Sequence, residues 1–349
     1  MDPAKPRGTA QHSESCSAAV VHHPAEVTAR WLEMRLGRRV RSFDRTDAVS
    51  TWATHVRIVA EVEGEKAPLK LRVKMGSALV FGRSEVDYYV RTFADLAGAP
   101  LVRCHHADAD ATHYHLLLDD LTDTHRNQDD VPVTEAYGRG LVESLAKLHA
   151  HRWARTPPDA AAIQASLAAP LAGLPVMLAA MNEGFTDLER ARVSDVFDRL
   201  PRALACRAED ASGFSWVHGD LNPGNILAPR TGPGTVLLID YQPFAASSPP
   251  LQQLAMGDLA QAMVLWWTEA DRRALAWPLV QHWLAQIQSK GVGDVSADRV
   301  REDWELCVAQ TLLVPASRCS EAGAVTKHRW LWETHVRRAL AALNDSRCW

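Results

Sequence analysis

The segment His218-Gly219-Asp220-Leu221-Asn222-Pro223-Gly224-Asn225-Ile226-Leu227, followed by Ile239-Asp240-Tyr241-Gln242, constrains this chain more than any other stretch. It sets an Asp, an Asn five residues on, and a second Asp fifteen residues later, just after the apolar run Val236 to Ile239. A hydroxyl attacking a phosphorus atom needs an acceptor for its proton, and the moving phosphoryl group needs oxygen ligands for a magnesium ion that offsets its charge. Asp220 supplies the first need, and Asn225 and Asp240 the second. Pro223 and Gly224 form the turn that brings Asn225 back toward Asp220.

Such a loop requires a cleft, and 349 residues are enough for two packed lobes. Residues 1–26 read as a loose tail, a mixture of Pro, Ser, His and charge. Pro24 to Leu36 reads as a first helix, with Val27, Trp31, Met34 and Leu36 near one face. Val56 to Val62 and Leu69 to Met75 alternate with period two around the turn Glu63-Gly64-Glu65-Lys66, which makes a hairpin carrying Lys70, Arg72 and Lys74 on its second face. Gly82 to Ala97 reads as a helix, and His113 to Leu118 as a buried strand ahead of Asp119-Asp120. The period then becomes helical: Thr134 caps a helix bearing Leu141, Leu145 and Leu148, and the Ala/Leu-rich stretch Pro157 to Asp210 and the chain from Asp258 follow it. The expected class is α+β and bilobal, with a small β-rich lobe over 27–122, a hinge near Leu121 to Asp130, and a larger helical lobe over 123–349.

Composition narrows the partners. A formal net charge of -4 gives no positive field for nucleic acid. The longest apolar stretch, Leu167 to Met181, is interrupted by Pro170 and Pro175 and falls short of the roughly 18 residues of a spanning helix. No membrane association is expected. The six cysteines form no C-x-x-C pair, which reads as free thiols in a reducing cytoplasm. The pairs His105-His106, His113-x-His115 and His149-x-His151 find no third ligand by spacing, so no structural zinc is expected.

HGDLNPGN with IDYQ resembles the aminoglycoside phosphotransferase and choline kinase superfamily, because Gly219 stands where protein kinases carry Arg. The Ile239-Asp240 pair followed by an aromatic and Gln is most similar to its ecdysteroid-kinase-like (CHK kinase-like) branch. Leu145-Ala146-Lys147-Leu148-His149-Ala150 and Asp258-Leu259-Ala260 extend the resemblance. It implies a protein-kinase-like fold that uses ATP and Mg²⁺. Lys74 matches the lysine that holds the α- and β-phosphates, and Glu85 its ion-pair partner. Leu116-Leu117-Leu118-Asp119-Asp120-Leu121 resembles the hinge, which puts Asp119, Asp120 and Leu121 beside adenine. One departure is plain: the turn Thr46 to Trp52 holds no glycine where phosphates should lie close to backbone amides, which leaves Ser50 and Thr51 to cap them.

The expected activity is transfer of the γ-phosphate of ATP to a hydroxyl of a small molecule, such as an antibiotic, a steroid-like alcohol or another metabolite. The rivals are a nucleotide-binding pseudokinase or regulatory protein, a protein kinase, and a metal-dependent hydrolase. The resemblance implies that His218 supports the loop rather than reacting. Asp258 reads as a loop anchor. Most of the twelve tryptophans read as core, with Trp266, Trp267 and Trp330 the candidates to line an acceptor pocket. The acceptor and the oligomeric state stay open.

Overall fold

The computed structural model describes residues 20–49, 53–154, 158–232, 234–241, 252–293 and 295–349. Five antiparallel strands, β1 (Val40–Val49), β2 (Ala53–Val62), β3 (Leu69–Ser77), β4 (Cys104–Ala109) and β5 (His113–Asp119), form one sheet in the order β1-β2-β3-β5-β4. Period two decides what each strand buries: Val56, Ile58, Ala60 and Val62 of β2 point into the same core as Leu71, Val73 and Met75 of β3. Helix α1 (Ala29–Leu36) closes that face with Trp31 and Leu32. The Thr28 hydroxyl accepts its Trp31 N–H, and Gly37 ends it at φ 65°.

Three local expectations are corrected here. Part of the tail is packed: Val21 is buried in this core, and its N–H donates to His115 Nδ1 at 3.2 Å. Apolar residues near the sheet gain by joining it even in a polar segment. The helix expected from Gly82 to Ala97 is also shorter: after the single turn α2 (Ala78–Phe81), α3 (Ser84–Asp87) passes into a π-helical turn, Tyr88–Thr92, in which Tyr88 stacks on Tyr241 with centroids 4.0 Å apart. Finally, β1 runs through Thr46, paired with Arg57, so the connection to β2 is confined to residues 50–52. Ser50 and Thr51 lie outside the described residues.

The rest of the chain is mainly helical: α4 (Glu135–His151), α5 (Ala160–Ala180), α6 (Asp187–Arg207), α7 (Met256–Ala260), α8 (Glu269–Ser289), α9 (Ala297–Gln310), α10 (Leu313–Cys319), α11 (Ala324–Lys327) and α12 (Arg329–Asn344). Short strands β6 (His125–Asn127), β8 (Ile226–Pro229) and β9 (Leu237–Leu238) form a three-stranded sheet beneath the cleft, and β7 (Phe214–Trp216) pairs with β10 (Gln252–Leu254). The α+β class, with a β-sheet N-terminal part and a helical C-terminal part, is as the sequence indicates. Trp267, Trp283 and Trp332 are among its largest fully buried side chains.

Pro170 and Pro175 do not break the apolar stretch, which runs as the single helix α5 through both. Each proline removes one backbone hydrogen bond, and packing on α10 holds the helix instead. At Gly173 the approach is so close that a Cβ would lie 1.9 Å from the Ala316 carbonyl oxygen. By length and composition alone, Ala161–Ala180 could cross a membrane; here part of it seats against α10.

Candidate active site

The loop carrying Asp220 hangs on one buried carboxylate. Asp258, at the start of α7, accepts the backbone N–H of His218 at 2.8 Å on Oδ2 and that of Gly219 at 2.9 Å on Oδ1. His149 of α4 donates to the same Oδ2 at 3.0 Å, and its other ring nitrogen accepts the Trp283 indole N–H at 3.2 Å. Burial alone would raise the Asp258 pKa, but the His149 hydrogen bond and the amides it accepts hold it below the usual carboxylate range. Gly219 adopts φ 80°, a left-handed conformation that suits glycine, and this turns two successive amides toward one acceptor. Asp258 therefore anchors the loop, as its sequence position suggested.

His218 is consumed by the same framework. Its Nε2 lies 2.9 Å from the Ile239 carbonyl oxygen and must donate, while Nδ1 accepts the Asp220 N–H at 3.3 Å. Both nitrogens are spoken for, so the ring has none to offer a substrate. Sequence reading did not single out Gln261, whose Oε1 accepts the Leu221 N–H at 3.1 Å, or Asn127, whose amide donates to the Gly224 carbonyl. No local motif marks either residue, because each reaches the loop from a distant segment.

Within the loop, Asp220 Oδ2 accepts from Asn222 Nδ2 at 3.1 Å and from Asn225 Nδ2 at 3.2 Å, and Asn225 Nδ2 also lies 2.8 Å from the Asp220 carbonyl oxygen. The second carboxylate oxygen of Asp220 and the Asn225 amide oxygen stay unengaged by these bonds. Burial raises the Asp220 pKa, and the Asp240 charge adds to this; the Asn222 hydrogen bond and the positive charge of Arg318 work against it.

Asp240 faces the loop from the end of the run after β9. With φ 60° it is the one non-glycine among the described residues with positive φ, an uncommon conformation. Its Oδ1 lies 2.6 Å from Lys74 Nζ, and Glu85 Oε2 lies 2.7 Å from the same ammonium. Lys74 and Glu85 are nearly fully buried, whereas Asp240 is open to the cleft. Burial opposes charge on Lys74, but the Glu85 and Asp240 carboxylates outweigh it and raise its pKa. Burial pushes Glu85 up to about 7 despite Lys74, because the ammonium is shared with a second carboxylate. Tyr114 hydrogen-bonds Glu85 from β5. Its ring crosses β3 at Gly76, where a Cβ would stand 2.5 Å from it.

The three cations read on one face of β3 are used in sequence. Lys70 pairs with Asp123, Arg72 lies 3.6 Å from Asp120 Oδ2, and Lys74 holds Glu85 and Asp240. Asp120 also accepts from Arg57 Nε at 2.8 Å, and Asp119 from His105 Nε2 at 2.6 Å. The Asp119 and Asp120 amides donate to the carbonyls of Arg103 and Lys70. Of the three expected adenine contacts, Leu121 alone keeps an amide that meets no acceptor among the described residues. The cleft runs from Leu121 past Leu227 and Ile239 to Lys74, Glu85 and Asp240, with His55 on its wall.

The tryptophan candidates fare unevenly. Trp267 is fully buried, Trp330 is 69% exposed, and Trp266 packs edge-on to His335 with centroids 4.7 Å apart.

A sequence model described as a phosphotransferase enzyme family (APH) matches residues 82–291, the span that holds Glu85, Asp220, Asn225, Asp240 and Asp258. Among solved structures, a glucosamine kinase in complex with glucosamine, ADP and inorganic phosphate aligns with 93% of this chain and 83% of its own, at a TM-score of 0.60 and 16% identity. A choline kinase from Cryptosporidium parvum Iowa II aligns with 87% of this chain and 90% of its own, at a TM-score of 0.54 and 14% identity. At such identities the likeness carries the fold. No curated protein sequence matches the chain.

Proposed function

The chain belongs to the phosphotransferase enzyme family whose model spans residues 82–291, and on that premise we propose that it transfers the γ-phosphate of ATP to a hydroxyl of a small molecule. The observation that carries this reading is the cleft that holds Lys74, Glu85 and Asp240, with Lys74 within 2.7 Å of both carboxylates, beside the loop of Asp220 and Asn225, whose Asn225 carbonyl accepts the Ile239 N–H at 3.0 Å.

The donor set fits Mg²⁺. The unengaged Asn225 amide oxygen and the carboxylate of Asp240 are hard oxygen ligands, and no thiolate or imidazole stands among them. When bound, Mg²⁺ would neutralise charge on the transferred phosphoryl group. Asn225 and Asp240 hold it, Lys74 positions phosphate oxygens, and the Leu121 amide is the hinge donor for adenine. Asp220 orients the acceptor hydroxyl and takes its proton on the carboxylate oxygen that Asn222 and Asn225 leave free. Rigid anchoring by Asp258 suits chemistry that rests on positioning.

Within the family, Ile239-Asp240-Tyr241-Gln242 supports the ecdysteroid-kinase-like branch. The cysteines Cys104, Cys206, Cys307, Cys319 and Cys348 are free, which supports a cytoplasmic setting. The test is a screen of the purified protein with Mg²⁺-ATP against amino sugars, amino alcohols, steroid alcohols and antibiotics, with products read by mass and Asp220→Asn as control. Phosphorylated product from the wild type alone supports the reading. Thermal stabilisation by ATP with no product from any acceptor class would replace it with the pseudokinase reading.

A further inference from the structure

The N-lobe carries a second constellation, at the end of β5 opposite the hinge. Asp110 sits in the turn between β4 and β5, where its Oδ1 accepts the Thr112 N–H at 2.7 Å, the His113 N–H at 2.9 Å and the Thr112 hydroxyl at 3.0 Å. These bonds fix the carboxylate and direct Oδ2 outward, onto His22 Nε2 at 2.6 Å. The His22 ring stacks on His113 with centroids 4.2 Å apart and planes 20° apart. One donor atom from each of His22, Asp110 and His113 lies within 4.8 Å of the other two.

We infer that His22, Asp110 and His113 form a binding site for a divalent transition-metal ion, Zn²⁺ foremost, which staples the N-terminal segment to the β4–β5 turn. Two imidazoles and a carboxylate are a zinc-type donor set, in contrast to the all-oxygen set of the catalytic cleft. Tetrahedral coordination at about 2.1 Å sets donors roughly 3.4 Å apart, so an ion would widen the 2.6 Å His22–Asp110 pair and draw inward any donor that stands near the 4.8 Å limit. Side-chain rotation at exposed His22 provides that movement. The backbone beneath it is already placed, because Val21 is buried and donates to His115 Nδ1, and the His22 N–H donates to Glu26 Oε2 at 3.1 Å. Solvent completes the coordination at this open surface. Amides from Thr112 and His113 keep the Asp110 carboxyl well below its ordinary pKa, so it is an anion over the range in which histidine is neutral. Spacing concealed the site, because His22 stands 88 residues from Asp110.

The test uses the full chain, stripped with chelator and held in excess Mg²⁺ so that the oxygen ligands of the cleft are engaged. Zn²⁺ is titrated by calorimetry, and Co²⁺ is followed by its visible absorption. The inference expects one equivalent to bind and to raise Tm, with affinity at least about tenfold weaker in His22→Ala and in His113→Ala. His282→Ala, which removes a half-buried histidine paired with Glu143 elsewhere, should bind as the wild type does. Absence of a stoichiometric site, or equal binding by the wild type and both site variants, would overturn it.

Discussion

Lys74 and Asp240 stand 166 positions apart, yet Nζ of the one lies 2.6 Å from Oδ1 of the other, which ties the N-terminal sheet to the proposed metal ligand. Because Glu85 shares the same ammonium, removing Lys74 leaves a buried carboxyl without its cation. Lys74→Met is expected to weaken nucleotide binding and to destabilise the fold, by up to about 3–5 kcal/mol where Glu85 stays ionised. The folded-state pKa of Glu85 is about 7, above its ordinary value of 4.5. Its stabilising contribution is therefore complete below the ordinary value and lost as pH rises through the folded one, and the variant moves that value further up. Urea denaturation near pH 5.5 and pH 8 should show the larger deficit at pH 8; an equal deficit at both would count against the shared ion pair.

Asp220→Asn should lower kcat by about 10²–10⁴-fold, the usual worth of a general base, while thermal unfolding stays close to that of the wild type. The Asn side chain can still receive the Asn225 amide on its oxygen, so the loop geometry survives. Arg318 affords a gentler probe of the same carboxyl. Its positive charge lowers the Asp220 pKa, and Arg318→Ala should move the acidic limb of the kcat/KM profile to higher pH. A shift in the opposite direction would mean that the limb belongs to another group.

Asp258 accepts two loop amides and the His149 ring from full burial. Asp258→Ala leaves these donors unsatisfied at about 1–3 kcal/mol each, an upper bound once the loop relaxes, and should abolish turnover by loosening Asp220. Its pKa is depressed, so the stability it contributes is present above the ordinary carboxylate value and disappears as pH falls through the folded one. Acid titration of unfolding free energy in the wild type and in Asp258→Asn checks this: the wild type should show the steeper loss, and parallel curves would refute the anchoring role.

What could be read from the sequence followed from how local each signal is. The spacing of Asp220, Asn225 and Asp240 is fixed by one short loop and one strand, and the alternation along β3 sets Lys74 on the face opposite Leu71 and Val73. The edge strand β4 went unread, since all its residues except Ala109 are half-buried and no alternation marks them. Pro170 and Pro175 misled because local propensity was overridden by the close contact of Gly173 with α10. At the hinge, Asp119 and Asp120 line the cleft, and the motif could not give their pairing, which depends on Arg57, Arg72 and His105 from neighbouring strands.

His55 extends that point to ligand binding. It pairs with Lys74 across β2 and β3, and its pKa falls to about 4, first through burial and then through the charges of Lys74 and Arg72, with Asp240 acting the other way. In the free protein it is neutral near pH 7. Phosphates brought to Lys74 add negative charge beside the ring and favour its protonated form, so nucleotide binding should take up a fraction of a proton, with the uptake growing as pH falls toward the folded pKa. Calorimetry in two buffers of different ionisation enthalpy measures this directly. The ligand and the remaining groups also titrate, so the informative quantity is the difference between the wild type and His55→Asn. A smaller uptake in the variant places the phosphates against β2; equal uptake would put them elsewhere in the cleft.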